Sequence, residues 1–188
     1  MRTLRSSMVA TLMVALLAGF SSVVAAQADD DGSVSVTHVT GQQTDAREVG
    51  FGGYAEVGGV TQGRDLVYED TLEWSDPRLP SAMWITENLD MHDLGDGREA
   101  WFWVGSIRLE DEQGAWAGEE YGMGEFTGDR PILQPRIMML RGEGAYEGLT
   151  AVLQRRWDPE DVTYHAAVDG YIFEGDLPPM PAPTTVVD

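Results

Sequence analysis

Neither cysteine nor lysine occurs anywhere in the 188 residues. The first absence rules out a disulfide framework, a thiolate metal site and a thiol nucleophile, so the fold must be held by its core alone. The second leaves arginine as the only strong cation, 12 residues against 32 acids, for a formal net charge of −20. Such a surface repels nucleic acid and anionic lipid, because binding either depends on Lys and Arg neutralising phosphates. It can attract cations, cationic peptides or Ca²⁺, and it equally serves plain solubility. Also missing are a G-x-S-x-G nucleophile motif and any short paired spacing of His38, His92 and His165, which argues against zinc. After residue 20 no apolar run approaches the roughly 20 residues that a membrane helix needs. No segment carries the i, i+3, i+4, i+7 pattern of an amphipathic helix over three turns.

The one long apolar run stands at the start. Arg2 and Arg5 form a basic region ahead of Met8–Phe20, and small residues follow, with Val24-Ala25-Ala26 or Ala26-Gln27-Ala28 offering a cleavage site. Residues 1–28 therefore read as a signal peptide, with an uncleaved anchor as the alternative. No cysteine follows the run, so a lipoprotein is excluded, and no Arg-Arg pair precedes it. The expected location is secreted or periplasmic, with no membrane association after cleavage. Removing Arg2 and Arg5 leaves 10 arginines against all 32 acids, a net charge of −22. Residues 29–176 are expected to form one domain. Residues 177–188, with Pro178, Pro179, Pro181 and Pro183, are expected to be an extended tail.

What the rest of the chain has is alternation. Leu149, Ala151, Leu153, Arg155 and Trp157 alternate with Thr150, Val152, Gln154 and Arg156, a period of two that defines a strand with two faces. The same period puts Leu66, Tyr68, Leu72 and Trp74 on one face, then Met83, Ile85, Leu89 and Met91, then Trp101, Trp103, Ile107 and Leu109. Strands are expected at Val34–Thr37, Arg64–Trp74, Ala82–Met91, Glu99–Glu110, Ala115–Phe126, Ile132–Leu140, Leu149–Trp157 and Val162–Glu174, with Pro135 marking an edge or bulge. The polar, glycine-rich stretch Gly41–Gly63 reads as a loop or a weakly formed strand pair. Asp96-Gly97 supplies a hairpin signal, and Asp158-Pro159-Glu160-Asp161 a turn. The expected fold is all-β, an antiparallel meander closing into a small seven- or eight-stranded barrel, with a β-sandwich as the alternative.

Glycine is dense where strands turn. Gly114-Ala115-Trp116-Ala117-Gly118 and Gly144-Ala145-Tyr146-Glu147-Gly148 share G-A-aromatic-x-G, which suggests equivalent bends at a barrel rim with the aromatic covering bare backbone. The octet Gly142-Glu143-Gly144-Ala145-Tyr146-Glu147-Gly148-Leu149 resembles the G-x-G-x-[FY]-x-G signature of allene-oxide-cyclase-like and dirigent-like β-barrels. Together with the W-x-G of Trp116–Gly118, it also resembles a group of exported bacterial proteins of unknown function. The resemblance covers eight residues. It implies a barrel, and a fold that elsewhere cyclises or orients reactive small molecules in an apolar cavity. None of those families' active-site residues has a counterpart here.

Charges on apolar faces are the candidate chemistry. Asp70 interrupts Leu66–Trp74, Glu87 interrupts Met83–Met91, and Arg155 interrupts Leu149–Trp157. An unpaired charge in an apolar core costs several kcal/mol, so all three pointing inward implies a carboxylate–guanidinium cluster in the lumen, with Arg155 paired to Asp70, Glu87 or both. Such a cluster is a ligand-binding candidate; the alternative puts these residues near strand ends, in solvent. Asp90, His92, Asp93 and Asp96 crowd one turn, but their spacing does not fit a twelve-residue calcium loop. No metal or cofactor is expected. Of the six tryptophans, Trp74, Trp101, Trp103 and Trp157 fall in phase with the aliphatics and read as core. The function expected is a non-catalytic module that binds a small apolar ligand or presents its acidic surface to a partner. The alternative is an isomerase or cyclase acting on a small apolar molecule in the barrel cavity.

Overall fold

A computed structural model describes residues 34–128, 130–157 and 165–177, with the backbone alone for residues 130–133. The signal segment, the Asp158–Asp161 turn and the prolines of the tail lie outside the described residues. Among the described residues every regular element is a strand. In chain order they are β1 (Val36–Gly50), β2 (Gly53–Val57), β3 (Val60–Trp74), β4 (Ala82–Gly95), β5 (Arg98–Glu110), β6 (Gly114–Thr127), β7 (Arg130–Leu133), β8 (Arg136–Gly144), β9 (Leu149–Trp157) and β10 (Ala166–Glu174).

Eight of them close a ring in the order β1-β10-β9-β8-β6-β5-β4-β3, and β3 returns to β1; β2 and β7 lie outside it. All pairings are antiparallel. Closure depends on β1. Its first half pairs with β10 through Val36–Gln42, and its second half pairs with β3 from Gly41 to Gly50. The ring is unevenly arranged, between a round barrel and a flattened sandwich.

Two expectations about elements need correction. Gly41–Gly63 does contain a strand pair, β2 with the start of β3, but its first part, Gly41–Gly50, is the second half of the long strand β1. Side chains from Gly41 to Gly50 are mostly exposed, so hydrophobic alternation is lost while the backbone still pairs with β3. Ile132–Leu140 is not continuous: the chain breaks at Gln134-Pro135, because proline offers no N–H to the ladder, and β8 starts at Arg136. The Asp96-Gly97 hairpin is present, with φ of 56° and 73°, as a two-residue turn of that twist requires.

The lumen is filled in two parts. The larger apolar cluster joins Val39, Leu72, Leu79, Met83, Ile85, Ile107, Leu109, Trp116, Met138, Leu140, Tyr146, Leu153 and Ile172. The connection between β3 and β4 covers this end: it inserts Leu79, and its Arg78 and Pro80 carbonyls accept from Trp116 Nε1 (2.7 Å) and Trp74 Nε1 (3.0 Å). The smaller cluster is Leu66, Leu89, Trp103 and Phe126, with Trp101 stacked on Phe126 at 4.0 Å between centroids. Among the tryptophans expected in the core, Trp103 is buried and Trp74, Trp101 and Trp157 are half-buried, whereas Trp116 is the one fully enclosed.

The two G-A-aromatic-x-G copies are not equivalent bends. Gly144–Gly148 makes the β8–β9 turn, but Gly114–Gly118 runs inside β6. They meet instead. Trp116 stacks on Tyr146 at 5.5 Å and 20°, and Tyr146 Oη donates to Asp111 Oδ2 (2.9 Å) in the β5–β6 turn. Backbone N–H groups of Gln113 and Gly114 bond the same carboxylate, and with Tyr146 they hold its pKa below the usual range. Gly142 makes the packing possible: a Cβ there would lie 1.9 Å from the Tyr146 carbonyl oxygen. Gly142→Ala is expected to destabilise by roughly 3 kcal/mol or more, since the obstacle is backbone. Gly97→Ala, with open space but φ of +73°, should cost only about 1–2 kcal/mol. Urea denaturation of both variants checks the ordering.

Candidate functional site

Between the two apolar clusters lies a layer of charge. On β3, Asp70 stands between Leu66 of the smaller cluster and Leu72 of the larger; on β4, Glu87 stands between Leu89 and Ile85. Glu120 of β6 and Arg136 and Arg155 at the facing ends of β8 and β9 complete it. All five are buried, none more than 7% exposed. The sequence-derived trio thus points inward as strand phase requires, and Arg155 takes one of its two expected partners. Arg155 Nη2 donates to Asp70 Oδ2. Glu87 pairs instead with Arg136, whose Nη1 donates to Glu87 Oε2 at 2.7 Å and to Glu120 Oε1 at 3.1 Å.

Sequence reasoning missed Glu120 and Arg136. Both carried the same signal as the other three: Arg136 shares parity with Met138 and Leu140, and Glu120 with Trp116 and Phe126. In β6 that alternation is diluted by Gly118, Gly122 and Gly124, which fill the remaining inward positions. Gly122 is there for a reason. A Cβ would come within 2.8 Å of Arg136 Cγ and 3.2 Å of the Trp103 ring, so its absence gives the arginine its path.

Aromatic faces screen the guanidiniums from solvent. Arg136 Cζ lies 4.4 Å from the Trp103 ring centroid and 4.9 Å from that of Trp157, and Arg155 Cζ lies 4.5 Å from Trp157. These contacts are attractive and desolvate the cations further. Three sealed polar atoms, Glu120 Oε2, Arg136 Nε and Arg155 Nε, have no hydrogen-bond partner among the described residues. Among the described residues three acids meet two arginines in this layer, so the acids outnumber the cations by one. Burial pushes both Asp70 and Glu87 above the usual carboxylate range; nearby Arg155 and Arg136 oppose the shift without cancelling it, and Glu120 adds to it. Burial together with Glu87 also raises the Tyr68 hydroxyl.

A cavity of about 220 Å³ reaches this layer. Asp70, Glu87, Arg136 and Arg155 line it, with Tyr54, Tyr68, Trp101, Trp103 and Trp157 as aromatic walls and Gln43 and Ala46 of β1 alongside. Ala46 and Tyr54 are exposed, so they stand at its mouth. Gln43 is fixed, its Oε1 accepting from the Ala166 amide at 3.0 Å. The acidic hairpin belongs elsewhere: Asp90 pairs with Arg64 at 2.6 Å, and Asp93 Oδ1 accepts from the Gly95 amide at 2.7 Å. Among the described residues no group of three His, Asp or Glu side chains could hold a metal ion. No family model matches the chain, and no curated protein matches it.

Arg155→Ala is expected to leave Asp70 buried and unpaired, at a cost of about 3–5 kcal/mol. Arg156, on the opposite face with 58% side-chain exposure, should cost less than about 1 kcal/mol when replaced by Ala. Urea titrations of the two variants decide between a buried and a surface role. The raised acids predict a pH effect of definite sign. A carboxyl whose folded pKa exceeds its unfolded value binds its proton more readily in the folded state, so stability rises as pH falls from neutrality towards the ordinary carboxylate range. Glu87 faces Arg136, Glu120, Arg155 and Tyr68. The melting temperature of the Glu87→Gln variant should therefore rise less on acidification than that of the native protein, and calorimetry at stepped pH measures the difference.

Proposed function

We propose that the protein is an exported, acidic, non-catalytic binding module whose ring holds one small ligand over the buried charge layer. The observation that carries this reading is the cavity itself. The far end of the lumen is closed by Trp116, Tyr146 and Leu79, while the near end keeps space that reaches four charged side chains. Apolar residues of similar volume would support the ring as well or better, because replacing a buried ion network is often neutral or stabilising by 1–4 kcal/mol. Retaining charges beside a void points to use. The walls also refine the expected ligand. Aromatic rings and ionised groups share the lining, so the occupant has a flat or apolar body and a polar group, rather than being wholly apolar.

A second reading stays with the cyclase-like and dirigent-like resemblance, in which the same cavity orients a substrate for isomerisation or cyclisation. Its support is the carboxyl of Glu87 on the cavity wall, which burial raises above the usual carboxylate range and which can exchange a proton with a bound molecule. Native mass spectrometry of the exported protein, purified without denaturation, tests both. A stoichiometric small-molecule adduct, lost in Trp101→Ala, supports the binding module. A recovered molecule that changes covalently on incubation with fresh protein favours the enzyme. An empty protein that takes up nothing from a metabolite mixture overturns both readings.

A further inference from the structure

We infer that the cavity is a site for a small organic cation, an ammonium or amidinium group carried on an aromatic or aliphatic body. The inference rests on the ligand-binding reading above and adds the ligand's chemical class. Charge count comes first. Among the described residues Asp70 has Arg155 to itself, but Glu87 and Glu120 share a single nitrogen, Nη1 of Arg136. The layer is short of one positive charge, and the shortage falls at this pair. Of the two, Glu87 lines the cavity, and among the described residues its hydrogen bonding runs through Oε2 alone. A cation in the cavity reaches that carboxylate directly, and it lowers the cost of burying Glu120 behind it.

The walls select the kind of cation. A hard metal ion demands six or more oxygen ligands, and the cavity offers the carboxylates of Asp70 and Glu87 among aromatic rings. An alkylammonium asks for less: one or two acceptors for its N–H groups and π faces around its carbons. Tyr54, Tyr68 and Trp101 supply such faces, and among the described residues none of these three is covered by an arginine. An anion finds the opposite. Both guanidiniums are already committed to carboxylates, and the whole chain carries a net −20. A neutral hydroxylated ligand satisfies acceptors but leaves the charge unbalanced. The acidic exterior also steers cations towards the mouth, since a low-dielectric cleft concentrates the field of the surrounding charge.

Three probes with one ring and three charges test the assignment: benzylamine, benzyl alcohol and benzoate, titrated against the full chain by tryptophan fluorescence and calorimetry. Benzylamine is expected to bind one to one and at least about tenfold more tightly than benzyl alcohol, a preference of about 1.4 kcal/mol, with benzoate weaker still. The preference should survive 0.5 M NaCl, which screens loose association with the acidic surface. It should collapse in Glu87→Gln and persist in Glu119→Gln, a surface acid on the same strand as Glu120. Benzyl alcohol or benzoate binding as tightly as benzylamine overturns the cation assignment and leaves the pocket standing. So does a preference that vanishes with salt. Failure of all three probes to bind the native protein overturns the cation site together with the binding module it rests on.

Discussion

The antiparallel register of β8 and β9 places Arg136 directly opposite Arg155, both side chains pointing into the lumen. Like charges facing each other across a ladder are unfavourable on a surface and far worse in an apolar interior. The rest of the structure answers this one juxtaposition. Asp70, Glu87 and Glu120 arrive from β3, β4 and β6, so neutralising two adjacent cations draws on three further strands. Five of the eight ring strands meet in this layer. The acids and arginines come together only when the ring is closed, which ties the closure to the ion pairs and makes partial opening costly. A carboxylate released from its arginine remains buried until the whole lumen opens.

Steric room for the layer comes from glycine. Gly122 lies opposite Arg136 and Gly105 opposite Glu87, and a Cβ at Gly105 would press on Glu87 at 3.2 Å. Removing two side chains from the inner wall lets two long ones cross the lumen. The same residue type works differently at the other end, where Gly118 and Gly142 let backbones approach so that Trp116 and Tyr146 can stack. One end of the ring therefore uses glycine to exclude space, and the other uses it to create space beside charge.

Those glycines also explain what could be read in the sequence. Strands β3, β4, β5 and β9 declare themselves because apolar residues occupy every second position, and a single charge in that series stands out. Asp70, Glu87 and Arg155 were legible for this reason, as was the all-β ring. In β6 the inward positions between Trp116 and Phe126 are Gly118, Glu120, Gly122 and Gly124, so the apolar series that Glu120 interrupts is reduced to its two ends. Arg136 comes directly after the Pro135 break and reads as a strand end. Pairing was hidden for a different reason. Phase tells which face a residue occupies, but which acid meets which arginine depends on strand order and register, and these are properties of the closed sheet. β1 was obscured because its second half is nearly all exposed and polar; its strand character comes from its neighbours β10 and β3, not from its own alternation.

The division of the lumen bears directly on what it can do. A protein without disulfides needs a continuous apolar core, and the Trp116–Tyr146 end with Leu79 across it supplies one. With that end solid, the charge layer and its cavity need not contribute net stability. The penalty of an excess buried carboxylate is tolerable because it is offset elsewhere in the same ring. Under the proposed reading, a group that brings a positive charge gains both its own contacts and the neutralisation of the paired acids, which couples binding to stability through Glu87 and Glu120. A lumen packed throughout with aliphatic side chains would make a firmer ring with nothing to offer a ligand. The position of the void, beside the two acids that share Arg136, is what ties the architecture to the proposed function.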